Sequence, residues 1–413
     1  MKKLIFFIVV FIFLTFCGFV YFIFRDIPKV DDSDLLLSKV EIPKEENAYY
    51  LLKEAVGKIY IPRDKIKAID EIVYKDTWDK EFIEELLEKN KDVFEIFKKA
   101  TEYNYFQFPD LDTISYISLS SESKNVALRL SDLSKLVIIK SKYLIKEGKG
   151  KEALDLIFGL IKIGHMIEEG FIHDSIIYSF GAQTKKYGLK ALIEAVPYLY
   201  LSKEESKNYI NRLENFKGNK EGLIRALKGD YMNFLKEKEV IEENLRNEFK
   251  KNNFIARFIN FPDDIIFAYF SYKPNEAKKL IADLYRDVID KANKDCYEIE
   301  TKNYKFKMPK SEIKRIFTKN LVGKTIYDKK AANIYTPLEI KCLETLYIES
   351  AKTLLALKAY KIENGNLPKS LEELVPEYFS FIPEDPFDGK ALKYSPEEKI
   401  IYSIKGEKFF IDF

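Results

Sequence analysis

Histidine is nearly absent from this 413-residue chain, which has two, and cysteine is scarce at three. Cys17 lies in an apolar N-terminal run, so only Cys296 and Cys342 remain, too few for a disulfide-dense scaffold or a four-cysteine zinc site. Their spacing does not say whether they pair. Neither sign of charge prevails: 68 basic and 66 acidic side chains leave a formal charge of +2 and no general field to attract nucleic acid, so no nucleic-acid partner is expected. With 16 glycines the chain has neither a glycine-rich dinucleotide turn nor a Gly-x-Ser-x-Gly elbow, and no cofactor is expected.

What is present begins at the amino terminus. After Met1, Lys2 and Lys3, the run Leu4 to Phe24 carries no charge, and as a helix it is long enough to cross a hydrocarbon core. The apolar stretch runs into Arg25, Asp26, Ile27 and Pro28 with no small-residue cleavage site, which predicts an uncleaved anchor. Leu14-Thr15-Phe16-Cys17 is similar to a lipoprotein box, but the bulky Phe16 before the cysteine argues against lipidation. The expected topology is a single pass through the inner membrane, with Lys2 and Lys3 cytoplasmic and the body outside.

Composition favours a globular body, 46% hydrophobic, long enough for one large or two smaller cores. The expected fold is mainly α: the transmembrane helix, a multi-helix body with αα-hairpins, and a small α+β end. The domains expected are 1–25 as anchor, 26–45 as linker, 46–330 as a helical domain and 331–413 as the α+β module. Ile27 to Pro43, with Asp31, Asp32 and Asp34, reads as a spacer. Helical periodicity starts at Asn47, with Gly57 as a left-handed stop, and a second helix is predicted over roughly Lys80 to Thr101. Val126 to Gly164 predicts two helices joined by Glu147-Gly148-Lys149-Gly150, a hairpin whose turn looks like that of a tetratricopeptide unit. No 34-residue period recurs, so no solenoid is expected. Further helices are predicted through Ile176 to Val196, Ser202 to Phe216, Leu223 to Lys250 and from Asn275.

Thr336-Pro337-Leu338-Glu339 opens a helix that Asn364-Gly365 ends, Ser370 caps a short helix, and Leu392–Ser395, Ile400–Ile404 and Phe409–Phe413 read as three short strands in a meander. This segment resembles the C-terminal half of the major, G-like pseudopilins of type II secretion. The resemblance rests on Ala359-Tyr360-Lys361-Ile362-Glu363-Asn364-Gly365-Asn366-Leu367-Pro368, on Leu371 and Leu374, on Pro383-Glu384-Asp385-Pro386-Phe387, and on Lys393-Tyr394 and Tyr402-Ser403. It covers about an eighth of the chain. The family's peptidase site and calcium loop have no counterpart, so it implies neither filament assembly nor calcium binding. The whole chain resembles uncharacterised membrane-anchored bacterial proteins of the same layout, a likeness that implies no activity.

The two histidines, His165 and His173, have Glu168, Glu169 and Asp174 nearby, the residue types of a metal or acid–base site. Neither Glu-x-x-His nor His-x-x-Glu-His spacing occurs and Gly170 falls between them, so capping and surface roles are expected and no metal site. Val322-Gly323-Lys324-Thr325 lacks the first glycine of a phosphate loop. Ser121-Glu122-Ser123-Lys124 and Ser311-Glu312-Ile313-Lys314 are chance matches to Ser-x-x-Lys in a lysine-rich chain. No catalytic residue is therefore assigned. The crowded aromatics of Phe254 to Phe270 predict either buried helices broken at Pro262 or an exposed interaction surface. The expected function is protein binding or scaffolding in the bacterial envelope. The alternatives are an extracytoplasmic hydrolase near His165 and His173, or an accessory of a type II secretion or type IV pilus-like assembly.

Overall fold

The computed structural model describes residues 2–38, 40–75, 77–109, 118–171, 174–218, 220–251, 272–300 and 319–413. Among them the chain is mainly helical, with five short strands near the C-terminus. The helices are α1 (Lys2–Phe24), α2 (Tyr49–Lys58), α3 (Ile66–Lys75), α4 (Lys80–Lys89), α5 (Lys91–Ala100), α6 (Ser121–Lys146), α7 (Gly150–Glu168), α8 (Ser175–Ala195), α9 (Lys203–Glu214), α10 (Lys220–Lys251), α11 (Pro274–Ala292), α12 (Leu321–Ala331) and α13 (Thr336–Asn364). The strands are β1 (Glu384–Asp385), β2 (Lys390–Ala391), β3 (Lys393–Ser395), β4 (Ile400–Tyr402) and β5 (Lys408–Phe410).

Two compact units divide the chain: Met1–Leu36, Tyr231–Asp290 and Glu300–Tyr335 form one, and Leu37–Asp230, Lys291–Ile299 and Thr336–Phe413 form the other. In the first, α1 is continuous over 23 residues and presents Phe6, Phe7, Phe11, Phe13 and Leu14 to the surface, each more than 60% exposed. Part of the Leu4 to Phe24 run lies outside the residues whose side chains are described; among those that are described, no helix is long and apolar enough to cross a membrane. The start of the expected spacer is tethered. Asp26 accepts the first N–H groups of α11, from Asn275 at 2.8 Å and Glu276 at 3.1 Å, where a carboxylate meets the positive end of the helix dipole. Asp32 takes Lys278 and the Tyr231 hydroxyl, both at 2.7 Å, and Asp34 takes Arg286 through two nitrogens.

In the second unit α6, α7 and α8 form a helical layer, α2 packs on α5 and α6, and α13 crosses α8 and α9. The predicted hairpin is present as α6 and α7, turned at Gly148 with φ +74°. One predicted helix is two: the span Lys80 to Thr101 breaks at Asn90, the residue that caps both helices with non-helical φ −108° and ψ 17°, and whose fully buried side-chain amide bonds the main chain of Tyr60 in both directions. Gly57 is not the left-handed stop expected, since α2 runs through it to Lys58, but Gly365 is, with φ +79° at the end of α13. The short helix after Ser370 is a 3₁₀ turn, Leu371–Leu374. The three expected strands form the antiparallel order β3-β4-β5, and β1 and β2 add a separate two-stranded ladder. The crowded span Phe254 to Phe270 lies outside the described residues.

Candidate functional site

The least expected feature is a set of charges in the middle of the second unit. Glycines let two backbones meet: a Cβ on Gly164 of α7 would lie 2.6 Å from the Gly181 carbonyl oxygen of α8, and one on Gly181 would lie 2.7 Å from Glu168 N. That approach lodges Lys185 of α8 beside Glu168 at the end of α7, and α13 supplies Glu344. The Lys185 ammonium touches Glu168 Oε2, reaches Glu344 Oε1 at 2.5 Å, and donates to the Phe216 carbonyl at 3.2 Å. Its side chain is wholly buried and both carboxylates nearly so.

Burial opposes charge on Lys185, but the two carboxylates more than reverse this and hold its pKa above the ordinary lysine value. Burial first, and then the neighbouring Glu344 charge, push Glu168 well above the usual carboxylate range. Glu168 Oε1 and Glu344 Oε2 face no donor among the described residues, an arrangement that favours a proton on Glu168 in the same direction. The cluster is thus one lysine held between two buried carboxyl groups and closed to solvent.

His165 stands at its edge. The Lys185 ammonium is 3.4 Å from its Nδ1 and the Phe216 ring meets it edge-on. Burial, then the positive charge of Lys185, lower its pKa to about 3, so the imidazole is neutral at ordinary pH. This corrects the surface or capping role expected for it. Of the nearby acids Glu168 is in the cluster, Glu169 lies between Arg225 and His165, its Oε1 3.9 Å from the Nε2 of the imidazole, and Asp174 caps α8 by accepting the N–H of Ile177 at 3.0 Å. His173 lies outside the described residues, as does Ser311. Ser121 opens α6 next to its cap, Ser120. Among the described residues, no group of three or more His, Cys, Asp or Glu side chains is placed to hold a metal ion.

The polar residues of α13 form one face, Lys341, Glu344, Thr345, Glu349 and Lys352, and the face continues into an open cleft of about 810 Å³. Its charges answer one another: Lys217 meets Glu349 at 2.9 Å, and Lys352 meets Glu214 at 2.5 Å and Glu349 at 3.0 Å. Lys341 donates to the Ala292 carbonyl at 3.0 Å, at the end of α11, and burial, then Lys220, lower its pKa to about 8. Cys296 and Cys342 are joined by a disulfide at the wall of this cleft.

A second groove, about 900 Å³, lies between the ends of α6 and α8 and strand β5. Its rim carries Tyr74, Tyr198 and Phe410, each more than half exposed. Lys146, Lys190 and Lys408 line it, Lys146 over the ring of Trp78 at 4.6 Å and Lys190 near Tyr347 at 5.8 Å. Its own acids are largely engaged, Glu194 by Lys142 at 3.2 Å and Glu407 by the Tyr347 hydroxyl at 3.3 Å.

No protein-family model matches this chain, and neither a curated protein nor a solved structure is similar to it. Function must therefore be argued from the geometry. The charged face of α13 was hidden in the sequence because its apolar positions, Tyr347, Ala351, Leu354 and Leu355, also satisfy a helical stripe. One signal was available: lysines and glutamates at i, i+3, i+8 and i+11, the positions Lys341, Glu344, Glu349 and Lys352, fall on a single face of the helix.

Proposed function

We propose that the chain is a membrane-anchored protein of the bacterial envelope that binds or scaffolds another protein, with its body outside the inner membrane. The observation that carries the binding role is the second groove, an open depression rimmed by exposed aromatic rings; Lys75 and Lys142 in its lining meet Glu71 and Glu194, while Lys146, Lys190 and Lys408 have no carboxylate within 4 Å among the described residues. Aromatic rings with polar tips and a rigid frame are what protein interfaces reuse. The anchor is supported by the charge-free Leu4 to Phe24 sequence, by the continuous helix it forms, and by the apolar rings that helix exposes. The Cys296–Cys342 disulfide supports an oxidising compartment for the body. Cell fractionation with protease added outside the inner membrane tests the topology: full-length protein in membranes with its body digested is expected, and a soluble product beginning near residue 25 would contradict it. A photo-crosslinking amino acid at Tyr198 tests the binding role in cells. One discrete adduct is expected there, and none at an exposed control position such as Glu147.

A second reading, an accessory of a type II secretion or type IV pilus-like assembly, draws its support from the long helix α13 leading through Gly365 into the small sheet. Co-purification of secretion components with the full-length chain would favour it.

A further inference from the structure

The sheet order β3-β4-β5 leaves β5 at an edge. Ser403 N donates to Glu407 O at 3.0 Å and Ile411 N to Lys399 O at 2.8 Å, so the odd-numbered pairs on either side of the β4–β5 ladder exchange its hydrogen bonds. Alternation in an antiparallel pair then turns the N–H and C=O of Lys408 and Phe410 away from β4. Among the described residues no other main chain or side chain takes them up. The same strand lines the second groove through Lys408, Phe409 and Phe410. Side chains alternate with it: Phe409 is buried against Tyr347, while Lys408 and Phe410 stand exposed.

We propose that β5 receives an extended, acidic segment of a partner protein as a fourth strand, laid along this groove. The proposal rests on the binding role given above and names the partner's chemistry. Strand addition supplies the partner's main-chain hydrogen bonds from Lys408 and Phe410, and alternate side chains of the segment enter the groove against Tyr198 and Phe410. Charge selects the segment. Lys146, Lys190 and Lys408 share the groove with Asp412, the one groove carboxylate without a bond to another side chain, and Lys186 lies one turn from Lys190 with its pKa lowered by burial and by that like charge, which Glu407 offsets only in part. An entering carboxylate relieves that repulsion; an entering lysine adds to it.

The test uses the full-length chain in detergent and a synthetic peptide alternating glutamate and valine, read by fluorescence of Trp78, the chain's one tryptophan, which lies under Lys146. Saturable binding is expected. It should weaken by about tenfold or more in the double variant Lys190→Glu, Lys408→Glu, and by a similar factor in Phe410→Pro, which removes a free-edge donor and leaves the β4 ladder intact. A peptide alternating lysine and valine should fail to bind. The proposal is overturned if both peptides bind alike, if polyphosphate binds as tightly as the acidic peptide, or if Phe410→Pro leaves affinity unchanged while unfolding at the wild-type temperature. It is overturned also if the peptide does not bind and Phe410→Pro instead lowers the oligomeric state, since the strand's occupant is then a second copy of this chain. In each such case the Tyr198 adduct in cells still decides, separately, whether the groove binds a protein at all.

Discussion

Two of the places where lysines gather with acids in the second unit are built on opposite terms. Around Lys185, one ammonium is enclosed by Glu168 and Glu344, and every charge is answered inside the protein. Around Lys190 and Lys408 the lysines line an open groove whose acids answer them only in part: Glu194 is held by Lys142 and Glu407 by the Tyr347 hydroxyl, which leaves Asp412. A buried charge is tolerable only with its partners in place, so it specifies how helices meet; an exposed unmatched charge costs little in the free protein and is available to a ligand. The first cluster thus belongs to the fold and the second to recognition.

Variants that upset the matching should separate the two. Lys185→Met removes the ammonium that bridges Glu168 and Glu344 in the core, and loss of about 3–5 kcal/mol is expected in equilibrium unfolding, enough to threaten expression. Reducing the disulfide, or Cys296→Ser with Cys342→Ser, frees a loop closed over a separation of 46 residues and should cost roughly 2–4 kcal/mol. Gly181→Ala pushes a methyl into the Glu168 main chain and should lower stability by about 1–3 kcal/mol, with α7 and α8 forced apart. If Lys185→Met melted like the wild type, the cluster would not organise the helices as argued.

The pH dependence is a finer probe. Between pH 6.5 and about 3 the unfolded chain takes up a proton that folded His165 refuses, so stability falls as the solution is acidified. Above about pH 4.5 the unfolded chain releases a proton that folded Glu168 keeps, so stability falls as pH rises toward the pKa of that buried carboxyl. His165→Gln should flatten the acid limb and Glu168→Gln the alkaline one, each by up to about 1.4 kcal/mol per pH unit, measured by urea unfolding across pH. The smallest effect on stability is expected at the groove. Lys190→Glu with Lys408→Glu should change unfolding by less than about 0.5 kcal/mol while weakening the acidic peptide about tenfold or more.

Much of the helical order was legible in residues: the Thr336-Pro337 start, the Gly148 turn, the Gly365 stop and the Ser202–Glu205 capping box all follow from local chemistry. The break at Asn90 was not, because it depends on Tyr60, which lies 30 residues earlier. Nor was the pairing of Cys296 with Cys342. The buried cluster joins Glu168, Lys185 and Glu344 from three helices, and its sole trace in sequence is a set of helix-interior glycines, Gly164, Gly181 and Gly188, whose meaning is the close approach they permit. The groove was equally silent, since its lysines resemble those of any solvated face until β5 places them beside an open edge.

Amide hydrogen exchange on the full-length chain, with and without the acidic peptide, tests the recognition half of this comparison most directly. Protection is expected to rise at the amides of Lys408 and Phe410 and to stay unchanged at Ile401, whose amide is already within the ladder. Bound peptide with no added protection at Lys408 and Phe410 would contradict strand addition at β5.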